Sequence, residues 1–404
     1  MNAPATHDPE IAVQDVGTDH EASLREIDAC FAQFDESDAK RWDLESAIPR
    51  EVLSTLAAAG LLGCGVAREY GGRGWSARSH GYLFCRAGEL SLSLLSILTV
   101  HSMVIEAVRL WGSDEQRKRW LPKLVAGDAL GAFGLTEPSH GSDAMNIRTQ
   151  FLADGDGYRV SGCKKWISFG CGADVLLTFG QTESGATLAA LVPTSDPGFT
   201  ATPMRNLLGF RGAMLGEITL EDCAVPRENL LGSAGGGVPY VAGGALDLGR
   251  LAIAYGCLGA MESCTEDAIQ HARERVQVDE PLAKHQLIQR ILSDMITAVK
   301  VARRLCDHAA QLRDEGDPRA TLETTIAKYV ASTHSVRVAS DAVQVLGAAG
   351  CSADESRVER FYRDTRITEI IEGSNQMQQL MIAQNGMSEF QRRARAKAKQ
   401  RESR

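Results

Sequence analysis

Residues 147–161 read IRTQFLADGDGYRVS, and this stretch decides the fold. Asp154-Gly155-Asp156-Gly157 stands between two segments rich in strand-forming residues, a pattern typical of a tight turn between antiparallel strands. Three more short apolar segments follow and have prolines near their ends, at 175–179, 188–192 and 217–220. The sequence therefore predicts a small antiparallel β domain over residues 131–240.

Helical patterns flank this domain on both sides. Before it, residues 51–62 place apolar side chains three and four apart, and Ser113 precedes Asp114 and Glu115 as a helix N-cap would. After it, one apolar stripe recurs at Ile288, Ile291, Met295, Val299, Ala302 and Cys306, and a second long helix is expected over 321–346.

We therefore expect a mostly α fold with three domains. The predicted parts are a disordered leader (1–20), an N-terminal helical domain (21–130), the middle β domain (131–240), a C-terminal four-helix bundle of long helices (241–386) and a basic tail (387–404). Residues 391–404 carry seven Lys or Arg and one Glu, which we interpret as a solvated tail and not a binding arm.

Composition excludes several classes of protein. A net charge of −9 over 404 residues gives no basic field for nucleic acid. The ten cysteines are scattered without a Cys-x-x-Cys pair, so we expect reduced thiols and no metal site. No apolar stretch approaches about 18 residues without a charge, and the first 20 residues are polar, so we expect a cytoplasmic chain with no membrane span. Dinucleotide-fold and P-loop signatures are absent.

Two segments around the predicted hairpin could line a ligand. Residues 132–143 read AFGLTEPSHGSD, which is either a structural turn or a site where glycine lets the backbone approach a ligand. Residues 164–170 read KKWISFG, in which Trp166 either belongs to the core or covers one face of a flat cofactor.

A third segment places an acid among apolar residues. Residues 362–376 read YRDTRITEIIEGSNQ, and Glu372 follows Ile370-Ile371 and precedes Gly373. Desolvation in such surroundings raises the pKa of a carboxyl group and makes its carboxylate a stronger base. A base of that strength can take the weakly acidic proton next to a carbonyl group.

Together the three segments resemble the acyl-CoA dehydrogenase family, over about residues 25–386. The resemblance implies an FAD enzyme with the same order of three domains. It places one group of residues at the flavin: Phe133, Leu135, Thr136, Gly141, Ser142, Trp166, Ser168, Ser374 and Gln376. It places a second group at the FAD of a partner subunit, which implies a homodimer or homotetramer: Arg275, Gln286, Gln344 and Gly347.

The resemblance also implies the chemistry. Glu372 would abstract the α-proton of an acyl thioester, and Ser142, Asp247, Arg250 and Gly373 would line the substrate channel. The electrons would pass to an electron-accepting flavoprotein. The thioester would be a CoA ester of a short or branched acid or, as an alternative, a small acyl group on a carrier protein. A flavin oxidase on the same fold and a cofactor-free helical interaction protein remain as rivals.

Among the departures from the family pattern, the greatest lies after Arg275, and another difference between branches concerns the base. Val278-Asp279 stands where the family has Phe-Gly, and a carboxylate near the FAD pyrophosphate is unfavourable. Some branches of the family keep their base one residue before the equivalent of Arg250, but here that residue is Gly249. Glu372 is then the only base that matches a family motif.

Overall fold

The computed structural model describes residues 20–402. Its N-terminal part is a cluster of six helices. These are α1 (His20–Phe31), α2 (Glu36–Glu45), α3 (Arg50–Ala58), α4 (Ala77–Leu90), α5 (Leu92–Trp111) and α6 (Asp114–Ala126). The predicted leader lies outside the described residues except for His20, which begins α1. The cap predicted at Ser113 is present, since its side chain accepts from Gln116 N and its own backbone N–H donates to Gln116 Oε1.

An eight-stranded sheet follows. Its strands are β1 (Gly131–Gly134), β2 (Gln150–Asp154), β3 (Gly157–Ile167), β4 (Val175–Thr182), β5 (Thr187–Pro193), β6 (Phe199–Pro203), β7 (Gly216–Val225) and β8 (Leu230–Leu231). The spatial order is β6-β7-β3-β2-β4-β5-β8, with β1 beside β4. The predicted β2–β3 hairpin is present, with Asp154 opposite Gly157. Most pairs are antiparallel, but β1 and β2 each run parallel to β4, which the sequence did not predict.

Long helices form the C-terminal part. These are α7 (Gly243–Glu274), α8 (Gln286–Asp314), α9 (Ala320–Leu346), α10 (Val358–Thr368) and α11 (Asn375–Glu402), with a small hairpin of β9 (Val276–Gln277) and β10 (Glu280–Pro281) between α7 and α8. The predicted mostly α fold with a middle β domain is confirmed. The predicted tail from residue 387 onward is helical as far as Glu402, as the continuation of α11.

Two described helices are long and apolar enough to cross a membrane, although the sequence has no charge-free apolar stretch of about that length. Residues Leu92–Trp111 and Gly237–Glu274 pass the test by length and composition, but 89% and 72% of their apolar windows are buried inside the protein. A buried core helix has the same composition as a membrane span. Both helices pack in the core, where α7 lies against α4, α5 and α9.

Close approach between these core helices depends on glycines. A Cβ atom at Gly256 of α7 would overlap the side chain of Leu95 on α5, and one at Gly259 would overlap the backbone of Cys85 on α4. The helices therefore pack more closely than larger side chains would permit. The bend between α10 and α11 projects into this packed centre and carries Glu372.

Candidate active site

Glu372 lies in a loop whose backbone is unusual. Glu372 and Gly373 both have left-handed backbone angles, with φ of 54° and 81°. Glycine adopts this conformation freely, whereas a residue with a Cβ does so at a cost, so the surroundings must hold Glu372 in place. Its carbonyl oxygen accepts from Arg250 Nε of α7 at 3.3 Å and from Gln378 Nε2 of α11 at 3.1 Å.

The carboxyl group of Glu372 is buried on one side. Its Oε2 atom is shielded from solvent and has no hydrogen-bond partner in the described part of the chain. It faces α7 at Gly249, and Met103 Sδ of α5 lies close to the same glycine. Burial raises the pKa of Glu372 to about 7, although the positive charges of Arg250 and Lys328 act in the opposite direction.

The desolvation predicted for Glu372 is therefore present, but its source differs from the one expected. Ile370 is 56% exposed and Ile371 only partly buried, so this pair does not provide the apolar surroundings. The closely packed helices α5 and α7 provide them. Sequence separations of more than 100 residues hid this contact from any local pattern.

Lys328 is a site residue that the sequence did not indicate. It is fully buried on α9, and its Nζ donates to Gly373 O at 3.0 Å and to Asn375 Oδ1 at 3.0 Å. Burial lowers the pKa of its ammonium group to about 8. The feature of the sequence that could have indicated it is a single lysine on a helix face of small residues, between Thr325 and Ser332.

The predicted substrate residues on α7 lie near Glu372. Arg250 contacts the Glu372 loop, and Asp247, one turn earlier, forms an ion pair with Arg313 of α8. The other carboxyl oxygen of Asp247 is buried without a hydrogen-bond partner in the described part of the chain. A ligand group that donates a hydrogen bond would satisfy this atom.

Trp166 occupies a bulge in the sheet. The pairing of β3 with β7 shifts register between Lys164 and Ile167, and Trp166 has a left-handed φ of 61°. The side chain is 54% exposed, with Lys165 Nζ 5.8 Å from the ring centroid. The interpretation of Trp166 as a core residue is therefore wrong, and an exposed aromatic ring on a strained backbone suits a flat ligand.

Helix α5 contacts both the segment that carries Trp166 and the loop that carries Glu372. Ser96 of α5 donates a hydrogen bond to Ser168 Oγ at 2.9 Å. Met103, seven residues further along α5, lies beside Gly249 and hence beside the Glu372 carboxylate. Seven residues of helix span about 10 Å, so α5 sets the spacing between the two groups.

The loop of residues 132–143 is fixed to the sheet by a buried ion pair. Lys164 Nζ bonds Glu137 Oε1 at 2.8 Å, and Lys165 N donates to Thr136 O at 2.9 Å. These bonds join the first and second motif segments. Phe133 and Leu135 are buried, Thr136 is partly buried, and Gly141 and Ser142 are exposed at the end of the loop.

The residues predicted to contact a partner's FAD lie on the surface. Arg275, Gln286, Gln344 and Gly347 are exposed. The short connection between α8 and α9 and the Arg337–Asp294 pair at 3.1 Å show that the two helices run antiparallel, which brings Gln286 and Gln344 to the same end of the bundle. Ser374 and Gln376 flank Asn375 at the start of α11, and Gln376 is exposed.

These observations fit an FAD site. Trp166 offers an exposed aromatic face, and Glu372 Oε2 is an unsatisfied buried acid atom. At Gly141 and Gly347 no atom lies within 4 Å of the position that a Cβ atom would take, so a ligand can approach the backbone there. In residues 20–402 no group of three side chains could hold a metal ion.

Family models match almost the whole described chain. The N-terminal, middle and C-terminal domains of acyl-CoA dehydrogenase match residues 18–128, 132–223 and 235–387. The chain is 36% identical to an acyl-CoA dehydrogenase of Bacillus subtilis, over 83% of this chain and 89% of that protein.

Two solved structures are also similar. Butyryl-CoA dehydrogenase from Megasphaera elsdenii superimposes with a TM-score of 0.88 at 30% identity, covering 92% of this chain and 99% of that chain. FkbI, for biosynthesis of the methoxymalonyl extender unit of the polyketide Fk520, superimposes with a TM-score of 0.83 at 34% identity, covering 91% of this chain and 99% of that chain.

Proposed function

Because the chain belongs to the acyl-CoA dehydrogenase family, whose members are FAD-dependent, we propose that it desaturates a small acyl thioester with Glu372 as the general base. The observation that carries this proposal is the state of the Glu372 carboxyl group. Its Oε2 atom is buried and unpartnered, and its pKa is raised to about 7. A base with this pKa is substantially ionised near neutral pH and strong enough to take an α-proton.

The loop supplies a second group for the same step. Within residues 20–402 the backbone N–H of Glu372 has no hydrogen-bond acceptor. It is free to donate to the thioester carbonyl oxygen, where negative charge develops as the α-proton leaves. Arg250 and Gln378 hold the carbonyl group of Glu372 and so restrain the loop that carries this N–H.

The motif residues support binding of the cofactor. Phe133, Leu135, Thr136, Trp166 and Ser168 would hold the flavin, and Ser374 and Gln376 would contact it from the start of α11. FAD, when bound, accepts the β-hydride of the acyl group. Arg275, Gln286, Gln344 and Gly347 would contact the FAD of a second subunit, so we propose a homo-oligomer with residues from both subunits at each cofactor.

The substrate is proposed to be a short or branched acyl-CoA. The similarity to butyryl-CoA dehydrogenase supports a small acyl group. Asp247 and Arg250 would lie along the thioester arm, with Ser142 and Gly373 beside it. An electron-accepting flavoprotein would reoxidise the reduced enzyme, and the seven buried cysteines agree with a reducing, cytoplasmic location.

A small acyl group on a carrier protein is the second candidate substrate. The similarity to FkbI, a protein of polyketide extender-unit biosynthesis, favours a biosynthetic role of this kind. An oxidase on the same fold would instead return the electrons to oxygen. A cofactor-free interaction protein has no support from an FAD-dependent family.

Glu372→Gln tests the base. The amide keeps the shape of the side chain and loses its basicity, so we expect FAD to remain bound while anaerobic flavin reduction by substrate falls at least a thousandfold. Bleaching of the flavin absorbance in stopped flow measures the rate. A variant that reduces its flavin at the wild-type rate would show that another group takes the proton.

An anaerobic screen of thioesters identifies the substrate. Short, branched and long acyl-CoA esters are compared with the same acyl groups on a carrier protein, with flavin absorbance as the readout. Reduction by carrier-bound acyl groups alone would replace CoA as the proposed carrier. Oxygen consumption in a parallel aerobic assay separates an oxidase from a dehydrogenase.

A further inference from the structure

The Glu372-Gly373 segment is bound by the side chain of Lys328, which lies on the side of the loop away from the proposed substrate site. Lys328 lies on the buried face of α9, and its Nζ donates to Gly373 O and to the side chain of Asn375, which begins α11. Lys328 therefore joins the base-bearing loop both to α9 and to the first turn of α11.

The bonds around Lys328 form a closed network. Asn375 Oδ1 also accepts from Ser332 Oγ at 2.9 Å, and Asn375 Nδ2 donates to Thr333 Oγ1 at 3.1 Å. Gln378 Nε2 donates to Gly373 O at 2.9 Å from the other side. Both acceptors of Lys328, Gly373 O and Asn375 Oδ1, thus accept from a second donor as well. These bonds leave the loop little freedom to move.

Burying a lysine against uncharged acceptors is unfavourable for folding. Both acceptors of Nζ are neutral, and an ammonium group loses its hydration when it is buried. An apolar side chain would fill the same space on α9 at lower cost. Strained backbone and unfavourably buried ionisable groups both cluster at functional sites, and here Glu372 has the left-handed backbone.

We propose that Lys328 is a positioning residue for the general base, which fixes the Glu372-Gly373 loop on α9 so that the carboxylate faces the substrate. This inference rests on the proposed function of Glu372. Lys328 touches neither the substrate nor the reacting atoms. It acts through the Gly373 carbonyl group and through its positive charge behind the loop.

The charge has a predictable effect on the base. The ionisable groups that face Lys328 are Cys257 and Arg250 of α7 and Glu369 and Glu372 of the loop. Lys328 and Arg250 both oppose the burial that raises the pKa of Glu372. Without the Lys328 charge, Glu372 would therefore hold its proton to higher pH, and the pH profile of flavin reduction would move upward.

Two substitutions separate the charge from the hydrogen bond. Lys328→Gln loses the charge but keeps an N–H donor, and Lys328→Met loses both. We expect both holoenzymes to shift the pH profile of flavin reduction upward by about one unit. At the alkaline limit, where Glu372 is ionised in every variant, Lys328→Met should remain at least tenfold slower than wild type, and Lys328→Gln should be within about threefold.

The controls keep the test decisive. Lys123→Met changes an exposed lysine of α6 and should alter neither the profile nor the limiting rate. FAD content and thermal unfolding show whether each variant is folded, and Lys328→Gln alone decides if Lys328→Met does not fold. An unshifted profile in Lys328→Gln, or a wild-type limiting rate in Lys328→Met, overturns the inference. If the Lys328 test fails and Glu372→Gln still reduces its flavin, the proposed base is wrong. If the Lys328 test fails but Glu372→Gln does not reduce its flavin, only the proposed role of Lys328 is wrong.

Discussion

The Oε2 atom of Glu372 lies 2.5 Å from the position that a Cβ atom would take at Gly249. Real side chains do not approach a carboxyl oxygen so closely, so any residue other than glycine at position 249 would displace the proposed base. The Glu372 side chain therefore fits against α7 only because position 249 has no side chain.

Gly249→Ala should slow the enzyme without loss of cofactor. Displacement of a general base by about 1 Å costs on the order of a hundredfold in rate, so we expect flavin reduction to fall by about that factor with FAD content unchanged. Gly243→Ala is the matched control on α7, because its new methyl group meets only one atom, at 3.9 Å. Equal rates in the two variants would contradict the contact.

Glu372→Gln should be more stable than the wild-type protein at alkaline pH. The folded-state pKa is raised from 4.5 to about 7, so the folded protein binds more protons than the unfolded chain between these values. Stability from this group is then present below pH 4.5 and is lost as pH rises through 7. The variant lacks this loss, and its free energy of unfolding at pH 8 should be higher by roughly 3 kcal/mol.

Unfolding of the two holoenzymes at pH 5 and pH 8 checks this result. The stability difference between variant and wild type should grow with pH. A difference that is the same at both pH values would mean that Glu372 ionises normally in the folded protein.

Trp166→Ala should weaken FAD binding and leave the fold intact. The side chain is more than half exposed, so its removal should change the stability of the apoprotein by less than about 1 kcal/mol. Loss of the aromatic face should weaken FAD binding by about tenfold or more. Titration of the apoprotein with FAD measures the change, and Trp166→Phe, which keeps a flat ring, should stay within about threefold of wild type.

The turn at Val278-Asp279 should be improvable. Both residues have positive φ, 54° and 63°, at the centre of the β9–β10 hairpin. A β-branched residue is poorly suited to this conformation, whereas Asn-Gly is the preferred pair for such a turn. The double variant Val278→Asn/Asp279→Gly should raise the free energy of unfolding by about 1 kcal/mol. Val276→Asn, in the adjoining strand, is the control and should give no gain.

Asp279 also allows a test of charge at the expected FAD site of the partner subunit. If its carboxylate lies near the pyrophosphate, Asp279→Asn and Asp279→Gly should both bind FAD more tightly than wild type. Tighter binding by the glycine variant alone would assign the effect to the backbone. Unchanged affinity in both would place Asp279 away from the cofactor.

Much of the fold could be predicted because its signals are local. The Ser113–Gln116 cap and the β2–β3 turn each occupy a few neighbouring residues, and the apolar stripe of α8 recurs every three to four residues. β1 was not predicted as a strand. It has only four residues, and its partner β4 begins more than 40 residues later. Its parallel pairing with β4 joins residues far apart in the sequence, so no local pattern predicts it.

The site shows the same division. Glu372 could be singled out because its neighbours in sequence resemble a known motif. The surroundings that desolvate it come from Met103 and Gly249, and the donor that anchors its loop comes from Lys328. A lysine in a sequence is normally expected at the surface, so burial of Lys328 becomes visible only when α9 and α11 are placed together.

Ser96 and Met103 lie seven residues apart, so they share one face of α5. Inserting or deleting a single residue between them would turn that face by about 100°. Either Ser168 would lose its donor or Met103 would leave the glycine beside the base. Changes of chain length are therefore barred from this part of α5, whereas the exposed turn at Gly155 can accept them.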